Sequence, residues 1–303
     1  MKILVSGSHG LVGKALVRSL VEDGHEVVRL VRGEHAFGAA EVEWRPDQGF
    51  IDAQHLEGTH VVIHLAGESI ASGRWSAEKK RAIRESRVKG TALLSDALAR
   101  LSRPPSVFLS ASAIGYYGNR GDELLTEKSA AGNDFLSSVC REWEAATRAA
   151  AEKGIRTVLT RFGIILDAKE GALGKMLPPF RMGVGGRVGD GKQWMSWIAL
   201  DDVVNGLKFL IQDESIQGPV NFVAPEPVRN AEFTKTLGRV LSRPTIFPIP
   251  AFGVRLAFGE MADALLLSSQ RVEPSVLEDE GYQFRWPTLE PALRHLLAAD
   301  KRG

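Results

Sequence analysis

Residues 1–13 read MKILVSGSHGLVG, and this stretch decides the fold. Lys2–Ser6 is rich in apolar and β-branched residues, which is typical of a buried strand. Leu11–Val21 repeats apolar side chains at helical spacing. Three glycines lie at the junction: Gly7, Gly10 and Gly13. A strand, a glycine-rich turn and a helix in this order favour a nucleotide-binding turn over an ordinary glycine-rich loop.

Each glycine has its own physical role in such a turn. Gly7 would allow a tight exit from the strand, Gly10 would let the backbone approach a pyrophosphate, and Gly13 would let the helix pack closely on the sheet. A diphosphate would then lie at the helix N-terminus, where free N–H groups and the helix dipole favour negative charge. The turn therefore predicts a bound dinucleotide.

The residue after the second strand bears on which dinucleotide is bound. The segment HEVVRLV at 25–31 is typical of a strand, and Arg32 follows it. A site that prefers NAD would place Asp or Glu about here for the ribose 2′-hydroxyl. Arginine instead matches a 2′-phosphate through bidentate, charge-assisted hydrogen bonds. Arg32 therefore predicts NADP(H), and the alternative is an ordinary surface arginine.

The composition is that of a soluble globular protein. The chain has 303 residues, a hydrophobic content of 44% and a net charge of +1. This length suffices for one large core and a smaller lobe, and this charge gives no general attraction to nucleic acid or membrane. The single cysteine, Cys140, fits a reducing compartment. We expect a cytoplasmic protein, or an organellar one that has lost a transit peptide, without nucleic-acid or membrane partners.

Strands and helices alternate through most of the chain. Later strands are predicted at His60–Leu65, Val107–Ser112, Arg156–Arg161 and Gly218–Val223. Helices are predicted at Ala77–Leu101, Asn133–Lys153, Asn230–Ser242 and Ala251–Leu267. Asn133 or Asp134 would cap its helix, and Asp201 or Asp202 would cap another. This alternation predicts an α/β fold with a doubly wound parallel sheet of the Rossmann type.

The pattern changes after Asp167. Gly171–Gly191 contains seven glycines and the pair Pro178-Pro179, which favours loops and a hairpin over another strand–helix unit. Pro244–Pro250 is predicted to be extended. We therefore expect a Rossmann domain at 1–166, completed by 196–224. A smaller mixed lobe at 167–195 and 225–303 would bind the substrate.

Further segments, spread over essentially the whole chain, carry a family resemblance. They are LAGESI at 65–70, RW at 74–75, SR at 86–87, SAIGYYG at 112–118, WE at 143–144, MLPPFR at 176–181, SWI at 196–198, DD at 201–202 and GEMA at 259–262. In these segments the chain resembles the epimerase-like, atypical short-chain dehydrogenases of SDR family 39. The resemblance implies bound NADP(H) and an activity that is poorly defined within the family.

The resemblance also implies cofactor contacts. The pyrophosphate would be lined by Gly7, Gly10, Leu11, Val12 and Gly13. Leu65 and Ala66 would flank the adenosine ribose and the nicotinamide half, and Ile165 would pack near the nicotinamide. Arg87 would face the cofactor, although it belongs to a basic run, for which a solvated helix face is the alternative.

The acid–base pair usual in short-chain dehydrogenases, Tyr-x-x-x-Lys, is missing. The chain has three tyrosines, Tyr116, Tyr117 and Tyr282, and none has a lysine four residues later. Residues 134–140, where the family would place the pair, read DFLSSVC. In a standard enzyme the tyrosine transfers a proton while hydride moves, and the lysine helps lower a phenol pKa of ~10.

Other residues could take part in catalysis. Ser112 fits the helper serine after its strand and could hydrogen-bond a substrate oxygen. Tyr116 and Tyr117, on the following loop, could donate a proton, and the alternative is that they pack or line the substrate site. If Cys140 stands in the position of the lysine, it could be a nucleophile, but we favour a core residue.

The substrate side departs from related enzymes. Residues 189–198 are similar to a segment of sugar-nucleotide epimerases that usually carries an arginine where Met195 stands, so a nucleotide-sugar substrate is disfavoured. Arg74 and Arg181 remain as candidates for an anionic group, and Trp194 as an aromatic wall or a packing residue. No metal is predicted, because His60 and His64 lie in a strand, where that spacing does not converge on one ion.

Two functions therefore remain open. The first is an NADP(H)-dependent oxidoreductase or epimerase that acts on a small or sugar-like substrate between the Rossmann domain and the lobe. The second is a sensor that holds NADP(H) without turnover and reports its occupancy to a partner. The retained Ser112 and tyrosine pair favour the enzyme, and the missing Tyr-x-x-x-Lys pair favours the sensor.

Overall fold

The strand, glycine turn and helix expected at the start of the chain are present in the computed structural model, which describes residues 1–33 and 40–300. Its strands are β1 (Lys2–Ser6), β2 (Glu26–Val31), β3 (Glu41–Arg45), β4 (Phe50–Ile51), β5 (Val61–His64), β6 (Val107–Ala113), β7 (Leu124–Leu125), β8 (Arg156–Phe162), β9 (Ile164–Leu166), β10 (Trp194–Met195), β11 (Trp197–Ala199), β12 (Gly218–Phe222), β13 (Val228–Arg229) and β14 (Arg271–Val272).

The helices alternate with these strands. They are α1 (Leu11–Glu22), α2 (Ala77–Arg100), α3 (Phe135–Ala145), α4 (Arg148–Glu152), α5 (Gly171–Arg181), α6 (Leu200–Gln212), α7 (Asn230–Leu241), α8 (Ala251–Phe258), α9 (Glu260–Leu265), α10 (Ser275–Asp279) and α11 (Leu289–Asp300). Short 3₁₀ turns lie at Ala53–Leu56 and Ile114–Tyr117. Among residues 1–33 and 40–300, none of the helices combines the length and hydropathy needed to cross a membrane.

The central sheet has eight strands in the order β12-β8-β6-β5-β1-β2-β3-β4. All neighbours pair in parallel except β3 and β4, which form an antiparallel edge. The chain progresses outward from β1 in both directions, so the strand order reverses beside β1. The expected doubly wound Rossmann fold is thereby confirmed, and a switch point of this kind is where such sheets bind ligands.

The edge strand β3 was not among the predicted strands, although its pattern is visible in the sequence. Val42 and Trp44 are buried and alternate with more exposed residues. Trp44 packs across Gly90 of α2, where an added Cβ would lie 3.3 Å from the indole ring. The alternation is typical of a strand with one buried face, but it covers only five residues.

Two helices predicted as continuous are broken. Asp134 caps α3 through a hydrogen bond that its carboxylate accepts from Ser137 N at 2.8 Å. The helix stops at Ala145, and Thr147 Oγ1 donates to the Glu144 carbonyl, a local bond that competes with helix continuation. Further on, Gly259 has φ +62° and separates α8 from α9.

The prediction of loops and a hairpin over residues 171–191 is wrong in its first half. The helix α5 covers Gly171–Arg181 and contains both prolines. Each proline removes one backbone donor, but Leu173, Leu177 and Phe180 are buried in the lobe core, and that burial offsets the loss. The expected hairpin is absent from the described segment, since β10 pairs with the distant strand β13.

Apolar side chains form separate clusters on the two faces of the sheet, and a further cluster unites α5, α7 and α11 in the lobe. This third cluster also takes in Trp197 and Ala224, which come from the part expected to complete the Rossmann domain. The lobe therefore packs continuously against the sheet domain. The domain bounds at 1–166 and 196–224 stay a prediction.

A buried carboxylate joins α6 to the C-terminal segment. We expected Asp201 or Asp202 to cap α6, but the N-cap residue is Ala199. The carboxylate of Asp202 instead accepts hydrogen bonds from Arg285 N at 2.7 Å and from Trp286 N at 2.9 Å. Asp201 contacts His295 of α11 at 2.7 Å. The two aspartates thus hold the last part of the chain against α6.

Replacing Asp202 is expected to destabilise the protein. In Asp202→Ala two partly buried backbone N–H groups lose their acceptor, so the free energy of unfolding should fall by about 2–4 kcal/mol. Urea denaturation followed by circular dichroism measures this change. Asp96→Ala, at an exposed position of α2, is the matched control and should shift stability by under about 0.5 kcal/mol. Equal effects of both substitutions would contradict the assignment.

Candidate cofactor site and buried polar cluster

The glycine turn leaves no room for side chains. Gly7 has φ +67°, and a Cβ there would lie 2.7 Å from the carbonyl carbon of Leu65. A Cβ on Gly13 would lie 2.2 Å from the Gly7 carbonyl oxygen. Gly10 is the N-cap of α1 and has no side chain that could cap the helix. The first-turn N–H groups therefore remain open to an anion.

One polar atom at this turn is unsatisfied. Ser8 is buried, and its Oγ has no hydrogen-bond partner within the described residues. Buried hydroxyl groups are normally paired, and a phosphate oxygen placed at the first turn of α1 would be an acceptor of the right kind. The close approach at Gly7 and Gly13 and the unpaired Ser8 therefore fit a dinucleotide diphosphate.

A buried hydrogen-bond network holds the neighbouring loop. Ser6 Oγ accepts hydrogen bonds from the backbone N–H groups of Leu65 and Ala66, at 3.1 and 3.3 Å. Its own proton must then point to Nδ1 of His64, 2.6 Å away. The loop expected to flank the cofactor is thus fixed to the end of β1.

His64 extends this network into the helices. Its Nε2 lies 3.0 Å from Thr91 Oγ1, which also accepts a hydrogen bond from Trp143 Nε1 at 2.9 Å. Complete burial lowers the pKa of His64 to about 4, so the ring is neutral near pH 7. Because Ser6 donates to Nδ1, the proton is assigned to Nε2. Sequence reasoning considered His64 only as a metal ligand and missed this role.

A charged group lies beside the same loop. The Glu68 carboxylate accepts a hydrogen bond from Lys79 Nζ at 2.6 Å. The pKa of Glu68 is lowered, chiefly by this bond and further by the positive charges of Arg32 and Arg87. Arg32 itself is exposed, directly after β2. Arg32, which we expect to bind the 2′-phosphate, is therefore close enough to the loop at 65–68 to interact electrostatically with Glu68.

Arg87 is not on a solvated face of α2. Its Nη1 donates to the carbonyl groups of Glu68 and Ile83, at 3.0 and 3.1 Å. The guanidinium stacks 5.0 Å from the ring centre of Trp143 and lies against Gly67, where a Cβ would be 3.4 Å away. Arg87 therefore holds the loop at Gly67 and Glu68 in place by packing and hydrogen bonding. Its direct contact with the cofactor stays a prediction.

The second feature is a buried ion pair at the carboxyl edge of the sheet. Ser112, Arg161 and Asn221 align across β6, β8 and β12. Arg161 is only 3% exposed and donates two hydrogen bonds to the Glu144 carboxylate, both at 2.8 Å. Its Nη1 donates to the hydroxyl oxygen of Tyr117 at 3.0 Å. The guanidinium is thus paired on two sides.

The hydroxyl groups of this cluster donate within it. Ser112 Oγ donates to Glu144 Oε1 at 2.6 Å, and Tyr117 donates to Asn221 Oδ1 at 2.6 Å. Tyr117 is fully buried, and burial raises its pKa to about 12. Tyr116 is half-buried, with the Arg161 guanidinium 3.6 Å from its ring centre. The catalytic roles of Ser112, Tyr116 and Tyr117 stay predictions.

Cys140 lies next to this cluster and is buried. Burial raises the pKa of its thiol to about 12, so the thiolate needed for nucleophilic attack is not formed near pH 7. The favoured interpretation of Cys140 as a core residue agrees with this environment. Within the described residues, no group of three or more His, Cys, Asp or Glu side chains could hold a metal ion.

The three candidate substrate residues contact different segments. Arg74 packs on Gly259, at the start of α9, within 3.5 Å of an added Cβ. Trp194 donates from Nε1 to Asp122 at 2.9 Å. Arg181 ends α5, and its carbonyl accepts a hydrogen bond from Arg243 Nε at 2.8 Å. Their common role in substrate binding stays a prediction.

Two arginines beside Trp194 were missed from the sequence. The guanidinium carbons of Arg229 and Arg271 lie 4.3 and 4.8 Å from its ring centre. Cation–π contacts of this length are favourable. They come from β13 and β14, which are distant in sequence, so only the fold brings them to one indole ring.

Comparison with known proteins places the chain in a family. Residues 3–223 match the NAD dependent epimerase/dehydratase family, and the chain belongs to that family. Residues 249–296 match a domain of unknown function, DUF1731. An epimerase family protein of Mycobacterium bovis is 43% identical over 291 residues, which is 96% of each chain.

Two further relatives bear on the resemblance to SDR family 39. A chloroplastic SDR39U1 homolog of Arabidopsis thaliana is 37% identical, over 98% of this chain and 87% of its own. The crystal structure of human SDR39U1 (isoform 2) with NADPH superposes with a TM-score of 0.90 and 32% identity, over 98% of this chain and 99% of that one. The family resemblance drawn from the sequence is thereby confirmed.

His64 makes stability depend on pH. Its pKa is about 4 in the folded protein against an ordinary 6.5. Between these values the unfolded chain binds a proton that the folded one does not, so the free energy of unfolding should fall as pH falls, by about 3 kcal/mol between pH 7 and 4. Denaturant melts at several pH values measure it.

The contribution of His64 is isolated by substitution. His64→Gln removes the titrating group, so the wild-type free energy of unfolding minus that of the variant should shrink as pH falls. His9→Gln, at an exposed position of the glycine turn, is the control and should keep the wild-type pH dependence. If both variants follow the wild-type curve in parallel, the ring is not buried and neutral.

Proposed function

We propose that the chain binds NADP(H) at the carboxyl ends of β1, β2 and β5 and acts as an oxidoreductase or epimerase on a small or sugar-like substrate. The observation that carries the proposal is the turn between β1 and α1, where Gly7 and Gly13 admit no Cβ and Ser8 Oγ is buried without a partner within the described residues. The human relative crystallised with NADPH supports the phosphorylated cofactor.

The cofactor contacts follow from this placement. The pyrophosphate would meet the backbone of the turn, at Gly7, Gly10, Leu11, Val12 and Gly13. Leu65 and Ala66, held by Ser6, would present a fixed backbone to the ribose and nicotinamide half. Arg32 would bind the 2′-phosphate, and its exposed guanidinium next to the loop at 65–68 supports that role.

The nicotinamide end of the cofactor would lie between Ile165 of β9 and the loop residues that Arg87 contacts, Gly67 and Glu68. Ile165 is half-buried and packs on the core beside the sheet. Arg87 would act through the loop carbonyl that it binds. When bound, the cofactor supplies or accepts a hydride at nicotinamide C4.

Proton transfer in this chain would need residues other than the usual pair. Tyr116 is the better proton donor of the two tyrosines, because the proton of Tyr117 is donated to Asn221 and its pKa is raised. Ser112 directs its proton to Glu144. Its oxygen would therefore accept a hydrogen bond from a substrate hydroxyl group.

The substrate would lie between the sheet and the lobe. Arg74 and Arg181 would offer charge to an anionic group, and Trp194 would offer an aromatic wall. Trp194 is flanked by two guanidinium groups. Arg229 pairs with Asp122 at 2.9 Å, so the charge of Arg271 is the one that supports an acidic or strongly polar ligand on that side. We also propose a cytoplasmic location, with which a single buried thiol is compatible.

A sensor without turnover is the second candidate. The observation that favours it is that the polar groups around Arg161 are buried and hydrogen-bonded to one another. Ser112 is 2% exposed and Tyr117 is 0% exposed, and both hydroxyl protons are donated inside the protein. Such a cluster would stabilise the sheet edge beside the cofactor without exchanging protons with a substrate.

The cofactor preference is tested at Arg32. Arg32→Asp removes the charge-assisted hydrogen bonds to the 2′-phosphate and adds repulsion, so the Kd for NADPH should rise by about 10- to 100-fold while that for NADH falls. Calorimetric titration measures both constants. Arg29→Asp makes the same charge change at an exposed position of β2 and should leave the preference intact. An unchanged preference in the Arg32 variant would defeat the assignment.

The two tyrosines are separated by single substitutions. Tyr117→Phe leaves Asn221 and Arg161 short of a partner, so the free energy of unfolding should fall by about 1–3 kcal/mol. Tyr116→Phe should leave stability nearly unchanged and abolish NADPH oxidation driven by a metabolite extract. If extract-dependent oxidation survives in Tyr116→Phe, proton donation by Tyr116 is excluded. If the wild type shows none while binding NADPH, the sensor is favoured.

A further inference from the structure

Large apolar side chains are exposed on one part of the lobe. Within the described residues, eight such side chains are more than half exposed, and two of these, Met1 and Val21, lie on the sheet domain. The other six are Met182, Val184, Ile246, Phe247, Phe252 and Leu256. Together these six side chains form what we term the apolar surface. Scattered exposed apolar residues are normal, but a concentration of this kind marks an interaction site.

The two segments that carry these residues lie side by side. Val188 forms a β-bridge with Ile249, Ile249 N donates to the Arg187 carbonyl at 2.8 Å, and Gly189 N donates to the Ile249 carbonyl at 2.9 Å. Gly186 lies so close to Phe247 that a Cβ would fall 1.6 Å from its carbonyl oxygen. The two segments therefore adjoin, and the six side chains lie on neighbouring parts of the lobe surface.

The helix α8 contributes a distinct side to the apolar surface. Phe252 and Leu256 are 74% and 75% exposed, whereas Val254 between them is buried. The spacing of four residues places Phe252 and Leu256 on one side of the helix. α8 is thus packed on the lobe by one side and presents an unpartnered apolar side within the described protein.

The area of the apolar surface matches what a dimer needs. From the exposed fractions, the six side chains present roughly 700 Å², given that a whole aromatic side chain covers about 150–250 Å². This exceeds the largest apolar patch on a typical monomer, about 300–600 Å². It is close to the ~800 Å² that each partner buries in a standard stable interface.

One ion pair at the margin is compatible with contact between two copies of the chain. Arg255 of α8 pairs with Asp263 of α9 at 2.9 Å, so both charge signs are present beside the apolar side chains. Two identical surfaces meeting about a twofold axis then face no net repulsion from this pair. A twofold interface needs a patch that is complementary to itself, and an apolar centre meets that condition.

We propose that the apolar surface is the interface between two copies of this chain, related by a twofold axis. The interface has a consequence for the cleft. Glu260, at the start of α9, accepts a hydrogen bond from Lys80 of α2 at 2.8 Å, and Gly259 packs on Arg74. Dimer formation through α8 therefore stabilises the position of Gly259 and Glu260, the residues that contact Arg74 and Lys80.

Solution mass tests the proposal. Sedimentation velocity from about 1 to 100 µM should give twice the chain mass of 33.0 kDa for the wild type. Phe252→Glu/Leu256→Glu should sediment as a monomer with an unchanged circular dichroism spectrum, because both side chains are exposed in one copy. Val21→Glu, which places the same charge on an exposed apolar position of α1, is the matched control and should stay dimeric.

Other outcomes overturn the proposal. A wild type that is monomeric at all these concentrations overturns it, and so does a dimer that persists in the double variant. Ile246→Glu, on the neighbouring segment, should also give monomers, which provides an independent test if the double variant does not fold. A monomeric wild type that co-sediments with vesicles of phosphatidylglycerol and phosphatidylcholine, and loses this in Ile246→Glu, would assign the surface to lipid instead.

Discussion

The buried guanidinium of Arg161 is the constraint on which the carboxyl edge of the sheet depends. A charge that is 3% exposed is tolerated only when it is paired and hydrogen-bonded. Its partners come from three places: Glu144 on α3, Tyr117 on the 3₁₀ turn, and the carbonyl of Glu127. The position of each of these segments is therefore tied to one side chain of β8.

Because Arg161 is paired in this way, the two halves of the candidate site differ in how many of their polar groups are already hydrogen-bonded. Around the glycine turn, backbone donors and one hydroxyl are left open to a ligand. Around Arg161, the polar groups bind each other, and Ser112 is drawn into that network through Glu144. The Tyr-x-x-x-Lys pair usual in short-chain dehydrogenases was expected in this part of α3. Here α3 reads FLSSVC at 135–140, and the carboxylate that pairs with Arg161 lies one turn further on, at Glu144. The polar groups around Arg161 are thus satisfied by one another, whereas those of the glycine turn are not.

Much of the fold was predictable because its determinants are local. The strands β1, β5, β6, β8 and β12 are each formed by one short, contiguous segment rich in apolar residues. Their strand character therefore follows from local composition. Helix ends were less predictable. The break after Ala145 depends on a hydroxyl of Thr147 that bonds to Glu144, and the helix through Pro178-Pro179 depends on a core built from α7 and α11. A pattern of prolines and glycines indicates weak local preference, and it cannot show how much apolar area distant helices will bury.

By itself the sequence determined the Rossmann class, the glycine turn and the position of Arg32, because each follows from neighbouring residues in a strand–turn–helix unit. The tertiary structure decided which polar side chains are available. Ser112 and Tyr117 resemble catalytic residues in sequence, yet register across β6, β8 and β12 places them against Arg161 and its carboxylate partner. The same is true of His64, which burial in the folded protein keeps neutral and which contacts Ser6 and Thr91. Hydrogen bonds between residues far apart in the chain are set by packing, and packing is a property of the whole fold.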